Sequence, residues 1–98
     1  MSTVKDEICA ATGRIENVLT LYAEGWNDAG AKQEIEHETA LIAERMPFVT
    51  EMLSRIEFWG DILYNPRKWN SYTVNQVKAF IRADCASIRS AALHLPAE

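Results

Sequence analysis

The sequence has few of the residues from which catalytic, metal or redox sites are usually built. Among 98 residues there are two cysteines and two histidines. Cys9 and Cys85 match neither a metal-binding spacing nor a redox pair, and we expect both to be small buried core residues. No serine or cysteine has the sequence context of a nucleophile, and no glycine-rich phosphate loop occurs. We therefore expect a non-enzymatic protein without catalytic residues, bound metal or cofactor.

A long apolar run is also missing. A membrane-spanning helix needs about 20 predominantly apolar residues, and no stretch of this chain approaches that length. Residues 1–7 include acids where a secretory signal needs an apolar core. These features predict a cytoplasmic protein with no membrane partner, folded as a single helical domain over residues 1–98.

Apolar residues recur every three or four positions in three long segments, which is the spacing that lines one face of an α-helix. The first stripe is Val4, Ile8, Ala11, Ile15, Val18 and Tyr22. The second stripe is Ile35, Ile42, Met46, Val49, Leu53, Ile56 and Leu63. The third stripe is Val74, Val77, Ile81, Cys85, Ile88, Ala92 and Leu95. This pattern predicts an all-α, antiparallel bundle of three helices, over about residues 3–24, 29–64 and 74–94.

Two helix starts and one interior glycine stand out. Thr3 with Asp6, and Thr73 with Gln76, have the spacing of capping boxes, so we expect helices to begin there. Gly13 lies inside the first helix, where a glycine costs roughly 1 kcal/mol relative to alanine. We expect a neighbouring helix to approach closely at Gly13.

The middle segment decides the architecture. Its stripe passes Pro47 without losing phase, and residues 44–49 contain no Gly, Asn or Asp that would favour a turn. We therefore expect one long central helix kinked at Pro47, to be counted as four helices in all if the proline divides it. A further stripe widens its apolar face and consists of Leu41, Phe48, Met52, Trp59 and Ile62. Because this helix is longer than its neighbours, we expect surplus apolar surface and a homodimer.

Charge is unevenly distributed along the chain. Residues 1–64 are acidic, whereas residues 65–98 carry a net charge of +3. The simplest interpretation is that two acidic helices attract a basic third helix. The basic segment also contains the best candidate partner-binding residues, Arg67, Lys68, Trp69, Tyr72, Lys78 and Arg82. Arg, Trp and Tyr dominate binding hot spots, while a pI near 5.1 argues against a dedicated nucleic-acid binder.

Acidic residues near the start of the second helix form a possible metal-binding pattern. Glu34 and His37 have the Glu-x-x-His spacing of di-metal helical bundles, which need a second such pair. The chain has no second pair. We therefore interpret Glu34, Glu36, His37 and Glu38 as a solvated helix start, where the helix dipole favours acids.

Residues 57–64, Glu-Phe-Trp-Gly-Asp-Ile-Leu-Tyr, are similar to the Glu-Glu-Leu-Gly-Asp-hydrophobic stretch of all-α nucleotide pyrophosphohydrolases of the MazG type. In that family, acids on two antiparallel helices hold magnesium against a nucleoside triphosphate. The resemblance implies that Glu34 and Glu38 would stand for the acids of the first helix. The chain departs from the motif at Phe58, where an acid is expected, and in the four-residue spacing of Glu34 and Glu38, where three is expected. The family's arrangement would also require a helical hairpin at Pro47.

Three functions follow as hypotheses. The first is a non-catalytic protein–protein interaction module that acts as a small regulator, inhibitor, adaptor or subunit. The second is a magnesium-dependent nucleotide pyrophosphohydrolase. The third is a nucleic-acid-associated protein that uses the basic patch at residues 67–82, through basic groups interleaved with aromatic rings.

Overall fold

The structure, a computed structural model, describes residues 3–21, 28–64 and 72–95. These residues form four α-helices: α1 (Val4–Leu21), α2 (Asp28–Arg45), α3 (Thr50–Leu63) and α4 (Val74–Ala92). A 3-10 turn, Pro47–Val49, joins α2 to α3. The predicted all-α helical bundle is confirmed, with Pro47 at the point where the central segment is divided. Within the described ranges, no helix has both the length and the apolar composition to cross a membrane.

The three predicted stripes form one hydrophobic core. Every residue of the second stripe is buried, and the buried members of the other two stripes pack against it. From the first stripe these are Ile8, Ala11, Ile15 and Val18, and from the third they are Val77, Ile81, Cys85, Ile88 and Ala92. Tyr22 lies outside the described residues. Tyr64 adds a buried ring that the periodicity did not predict, and its hydroxyl donates to the carbonyl oxygen of Val18 at 3.4 Å.

Both predicted capping boxes are present. The backbone N–H of Asp6 donates to Thr3 Oγ1 at 3.1 Å, and the Thr3 N–H donates to the Asp6 carboxylate at 3.3 Å. The same reciprocal bonds join Thr73 and Gln76, at 3.1 and 2.8 Å. Each box satisfies backbone donors that a helix start otherwise leaves unpaired, so these two boundaries follow directly from the sequence.

The helices pack in a ring in which each contacts its neighbours in the chain, and α4 returns to contact α1. An ion pair crosses each of the four helix interfaces. These pairs are Arg14–Glu38, Lys32–Asp61, Arg55–Asp84 and Arg89–Glu16, in the order α1–α2, α2–α3, α3–α4 and α4–α1. Each helix interface therefore has its own ion pair. This arrangement is more specific than the predicted overall attraction between two acidic helices and one basic helix.

The central segment turns back on itself. Residue numbers rise along α2 as they fall along α3 in three contacts, namely Lys32–Asp61, Ile35–Gly60 and Thr39–Glu57. The two helices are therefore antiparallel. The expectation that a single helix continues through Pro47 with a bend is wrong, because the chain reverses direction there.

Met46 is where α2 stops. It is fully buried, and its φ of −136° and ψ of 71° are outside the helical region. A residue that precedes proline is disfavoured in the helical conformation by the proline ring. The turn then closes with a hydrogen bond from the Val49 N–H to the Met46 carbonyl oxygen at 3.2 Å. Pro47 thus ends α2 and allows a tight turn in a segment that contains no Gly, Asn or Asp.

The further stripe of the central segment, which begins at Leu41 and ends at Ile62, does not form one continuous face. Ile62 is buried, and Met52 and Trp59 are partly buried against the core. Leu41 and Phe48 are 36% and 64% exposed. The surplus apolar surface therefore exists, but it is divided between separate places on the bundle.

The expectation that a neighbouring helix approaches closely at Gly13 is wrong. Gly13 is exposed, and a Cβ built there would have no neighbouring atom within 4 Å. The close approach occurs at Gly60, which is buried. A Cβ at Gly60 would lie 3.5 Å from Ile35 Cδ1 on α2.

The two cysteines differ. Cys85 is buried in the core as expected, whereas Cys9 is exposed, so the expectation that both are core residues is wrong for Cys9. Both are free thiols. Burial raises the pKa of the Cys85 thiol to about 12, with smaller contributions from nearby charges.

Candidate functional site

Four aromatic side chains form a cluster where α3 packs against α4. Trp59 lies at the centre, with its ring 5.4 Å from that of Tyr72 and 5.0 Å from that of Phe80. Tyr72 and Phe80 are also in contact at 5.2 Å, and Phe58 meets Trp59 at 5.1 Å. Three of the four contacts are close to edge-to-face, the arrangement that the ring quadrupole favours. We call these four residues the aromatic cluster.

Local structure fixes the position of these rings. The capping box of Thr73 sets the start of α4, and Tyr72 immediately precedes this N-cap residue. Arg55 and Asp84 join α3 to α4 four residues before Trp59 and four residues after Phe80, respectively. Residues four apart are neighbours on a helix face. The ion pair therefore holds the two helices in the register that brings Trp59 and Phe80 together.

A shallow groove of about 260 Å³ runs over the cluster. It is lined by Arg55, Trp59, Tyr72, Phe80, Ala83 and Asp84. Phe58 and Tyr72 are 58% and 42% exposed, while Trp59 and Phe80 are half-buried. Large exposed apolar side chains grouped in one place typically mark an interaction surface.

A charged pair forms one end of this groove. Arg55 donates from Nη2 to Asp84 Oδ1 at 2.8 Å, and from Nε to both carboxylate oxygens at 3.2 Å. These hydrogen bonds, and then the carboxylate charge, raise the pKa of Arg55. Asp84 is only 9% exposed, whereas the Arg55 side chain is 48% exposed. The groove thus offers a partner a guanidinium beside aromatic rings.

The predicted partner-binding residues divide into three groups. Tyr72 belongs to the aromatic cluster. Arg67, Lys68 and Trp69 lie outside the described residues. Lys78 and Arg82 are both on α4, where Lys78 is half-buried and Arg82 is exposed.

Lys78 and Arg82 do not face the aromatic cluster. Phe80 contacts α3 through Trp59, whereas Arg89 pairs with Glu16 on α1, which defines two different sides of α4. Lys78 and Arg82 precede Arg89 by eleven and seven residues, so they lie within about 20° of it around the helix. The predicted combination of basic and aromatic residues on one surface is therefore not formed by Tyr72, Lys78 and Arg82.

Sequence reasoning did not identify Phe58, Trp59 and Phe80 as site residues. The sequence pattern places Trp59 in an apolar stripe of the central segment. The adjacent pair Phe58–Trp59 carries no decisive local signal. Neighbours on a helix point about 100° apart, but adjacent residues can both be buried, as Val18 and Leu19 are on α1. The pairing of Trp59 with Phe80 depends on the register between α3 and α4, and it could not be read locally.

The acids of α2 are not all a solvated helix start. Glu34, Glu36 and His37 are exposed as expected, but Glu38 is 1% exposed, so the expectation is wrong for Glu38. Arg14 Nε donates to both Glu38 oxygens, at 2.8 and 2.6 Å. This hydrogen bonding raises the pKa of Arg14, and Glu34 contributes in the same direction through its charge.

The helical hairpin that the MazG-type resemblance requires is present, but its acids face different neighbours. Glu57 accepts a hydrogen bond from the Thr39 hydroxyl at 2.8 Å, and Asp61 lies 2.6 Å from Lys32 Nζ, so both acids contact α2. Glu38 instead pairs with α1. In the described part of the chain, no three His, Cys, Asp or Glu side chains are grouped closely enough to hold a metal ion.

No protein-family model matches the chain, and no curated protein or solved structure is significantly similar to it. The function must be inferred from the chain's own residues, and the aromatic cluster is the strongest functional feature among those described.

Proposed function

We propose that this chain is a non-catalytic protein-binding module, a small regulator, inhibitor, adaptor or subunit, and that it holds its partner on the groove over the aromatic cluster. The observation that carries the proposal is the exposure of Phe58 and Tyr72 around a half-buried Trp59 and Phe80. A bundle that needed these rings only for its core would bury them.

The composition of the groove suits a protein partner. Trp, Tyr and Arg are the residues most enriched in binding hot spots, and the groove contains one of each in Trp59, Tyr72 and Arg55. An apolar side chain of the partner would pack on the rings and release water from them. An acid of the partner would meet Arg55, whose side chain is half-exposed.

Two further properties belong to this proposal. The chain self-associates, most simply as a homodimer, because Leu41 and Phe48 leave apolar surface exposed away from the aromatic cluster. It works in the cytoplasm, which suits its two free thiols.

Photo-crosslinking tests the proposed site. A photoreactive phenylalanine analogue at position 58 should capture a partner in the cell that makes the protein, and mass spectrometry would identify it. Affinity for the purified partner should then fall on the order of fivefold or more with Tyr72→Ala or Phe58→Ala, as for a hot-spot residue. Leu93→Ala is the matched control, because Leu93 is 67% exposed and directly follows the last residue of α4.

The predicted loop residues enter the same experiment. Arg67→Ala and Trp69→Ala should weaken partner binding, because these residues shortly precede Tyr72 in the sequence, while Lys78→Ala reports on the opposite side of α4. Normal binding by Phe58→Ala and Tyr72→Ala, with circular dichroism unchanged, would remove the aromatic groove from the proposal.

The reversal at Pro47 favours one second candidate, a magnesium-dependent nucleotide pyrophosphohydrolase. The antiparallel α2–α3 hairpin is the arrangement on which that chemistry is built in the family that residues 57–64 resemble. Release of pyrophosphate from nucleoside triphosphates, dependent on magnesium and lost in Asp61→Asn, would support this function. Lys32→Met is the control, because it removes the ion pair with Asp61 without removing an acid.

A further inference from the structure

A second groove, of about 340 Å³, lies between α1 and α2. It is lined by Asp6, Glu7, Ile8, Ala10, Ala11, Arg14, Leu41, Ile42 and Arg45. The pair Arg45–Glu7, at 3.0 Å, lies at one end, and the pair Arg14–Glu38 lies at the other. Between them the surface is apolar, and Leu41 is 36% exposed beside the small residue Ala10.

The charges along α1 in this groove are arranged symmetrically. Asp6, Ala10 and Arg14 are four residues apart, so they share one face of the helix. An acid and a base therefore lie at equal distances on either side of an exposed alanine, about 6 Å along the axis in each direction. A two-fold axis through Ala10, perpendicular to α1, would place each Asp6 opposite the Arg14 of a second copy.

We propose that the α1–α2 groove is the surface on which a second copy of this chain docks, with the two α1 helices antiparallel and crossing at Ala10. The inference rests on the self-association included in the proposed function, and it assigns that association to a surface separate from the aromatic cluster. A two-fold interface uses the same patch on both copies, which must therefore be self-complementary.

Charge complementarity selects a second copy as the occupant. The two hydrogen bonds from Arg14 to Glu38 both use Nε, and the Arg14 side chain remains 49% exposed. Its terminal nitrogens can therefore receive the Asp6 carboxylate of the second copy. A single apolar or acidic partner would satisfy one end of the groove and oppose the other.

The centre of the groove admits close packing. Ala10 lines the groove, is exposed and has a small side chain. Small residues let two helix axes approach to about 8 Å. Leu41 of each copy would then cover the α1 face of the other, which removes its exposed surface from water.

Solution mass tests the inference directly. Sedimentation equilibrium of the full chain at micromolar concentrations should give a dimer, and Ala10→Arg or Leu41→Asp should give a monomer with unchanged circular dichroism. Ala86→Arg, at an exposed alanine of α4, is the matched control and should remain dimeric. Asp6→Asn keeps an oxygen for the capping box while removing the charge. It should weaken dimerisation on the order of 2- to 30-fold, because two exposed ion pairs are lost.

Disulfide trapping tests the position of the axis. In a Cys9→Ser background, Ala10→Cys places a thiol on the two-fold axis and should give a covalent dimer on mild oxidation. Ala86→Cys in the same background should not. Cys85 does not interfere, because it is buried.

The outcomes separate this inference from the proposed function. A dimer that persists in Ala10→Arg and Leu41→Asp but is lost in Phe58→Asp would overturn the inference while leaving self-association intact. A wild-type chain that is monomeric at high micromolar concentration would overturn both the inference and self-association. Partner capture through position 58 would be decided separately by the crosslinking experiment.

Discussion

Arg14 on α1 and Glu38 on α2 form an ion pair in which the acid is buried and the base is not. Glu38 is 1% exposed, whereas the Arg14 side chain is 49% exposed. A buried carboxylate needs its partner far more than a half-exposed guanidinium does. Removing Arg14 alone should therefore have a different consequence from removing both side chains.

Arg14→Met should lower the free energy of unfolding by about 1–3 kcal/mol, because it leaves the Glu38 carboxylate buried without its donor. The double variant Arg14→Met with Glu38→Met should recover most of this loss, since apolar replacement of a buried pair is often neutral. Urea denaturation at one protein concentration measures both variants. Arg82→Met, at an exposed position of α4, is the control, and equal losses in Arg14→Met and Arg82→Met would contradict the argument.

Leu53→Ala and Ile56→Ala should each destabilise the fold by about 2–5 kcal/mol, because both side chains are buried in the core. Glu34 and His37 are exposed, so Glu34→Ala and His37→Ala should change the free energy of unfolding by less than about 0.5 kcal/mol. Thermal or urea unfolding compares the four variants. A loss in Glu34→Ala or His37→Ala as large as in the core variants would mean that these residues have structural partners.

Gly60→Leu should destabilise the bundle by about 1–3 kcal/mol, as overpacked cores do. Gly60 is buried, and a Cβ there would already be in van der Waals contact with Ile35 at 3.5 Å, so we expect the remaining atoms of leucine to overpack this contact. Gly13→Leu is the matched control. It should be neutral or stabilising to folding, because its position is open and leucine favours a helix over glycine by roughly 0.5–1 kcal/mol. If urea denaturation showed Gly13→Leu to be less stable than Gly60→Leu, the close helix contact would lie at Gly13.

The sequence was sufficient for the features that depend on local spacing. The core stripes and the capping boxes at Thr3 and Thr73 are set by residues three or four apart, and each is present. The reversal at Pro47 was missed for a physical reason. Both α2 and α3 bury their apolar faces in the same core, so the stripe keeps its phase whether the chain bends or turns back.

The candidate site was only partly predictable, because it depends on contacts between helices. The sequence around Tyr72 identifies it as a candidate, but its contact with Trp59 depends on the register between α3 and the residues before α4. The burial of Glu38 likewise depends on Arg14, which is 24 residues away. Of these residues, the sequence singled out only Tyr72 as a binding candidate, and only the packing of the helices showed which side chains meet.

Cys85 should be unreactive in the folded protein, while Cys9 should label readily with a thiol reagent at neutral to mildly alkaline pH. Cys9 is exposed, whereas Cys85 is buried and burial raises its thiol pKa to about 12. Only the thiolate reacts at a useful rate. Mass spectrometry after brief labelling should show one modified cysteine without denaturant and two with it. Rapid native labelling of Cys85 would mean that the core opens locally around α4.

The same burial predicts how the stability of the bundle changes in alkali. Cys85 in the unfolded chain titrates near 9.0, and in the folded chain near 12, so between these pH values the unfolded state loses a proton that the folded state keeps. The free energy of unfolding should therefore fall as pH rises through this window. Below the window, Cys85 should contribute nothing to the pH dependence of this free energy, because the thiol is protonated in both states. Urea denaturation across the window would measure the slope for the wild type and for Cys85→Ala. The variant should have the shallower slope, because the other groups that titrate in alkali are common to both chains and only the thiol differs. Parallel slopes would mean that the thiolate is accommodated in the folded core.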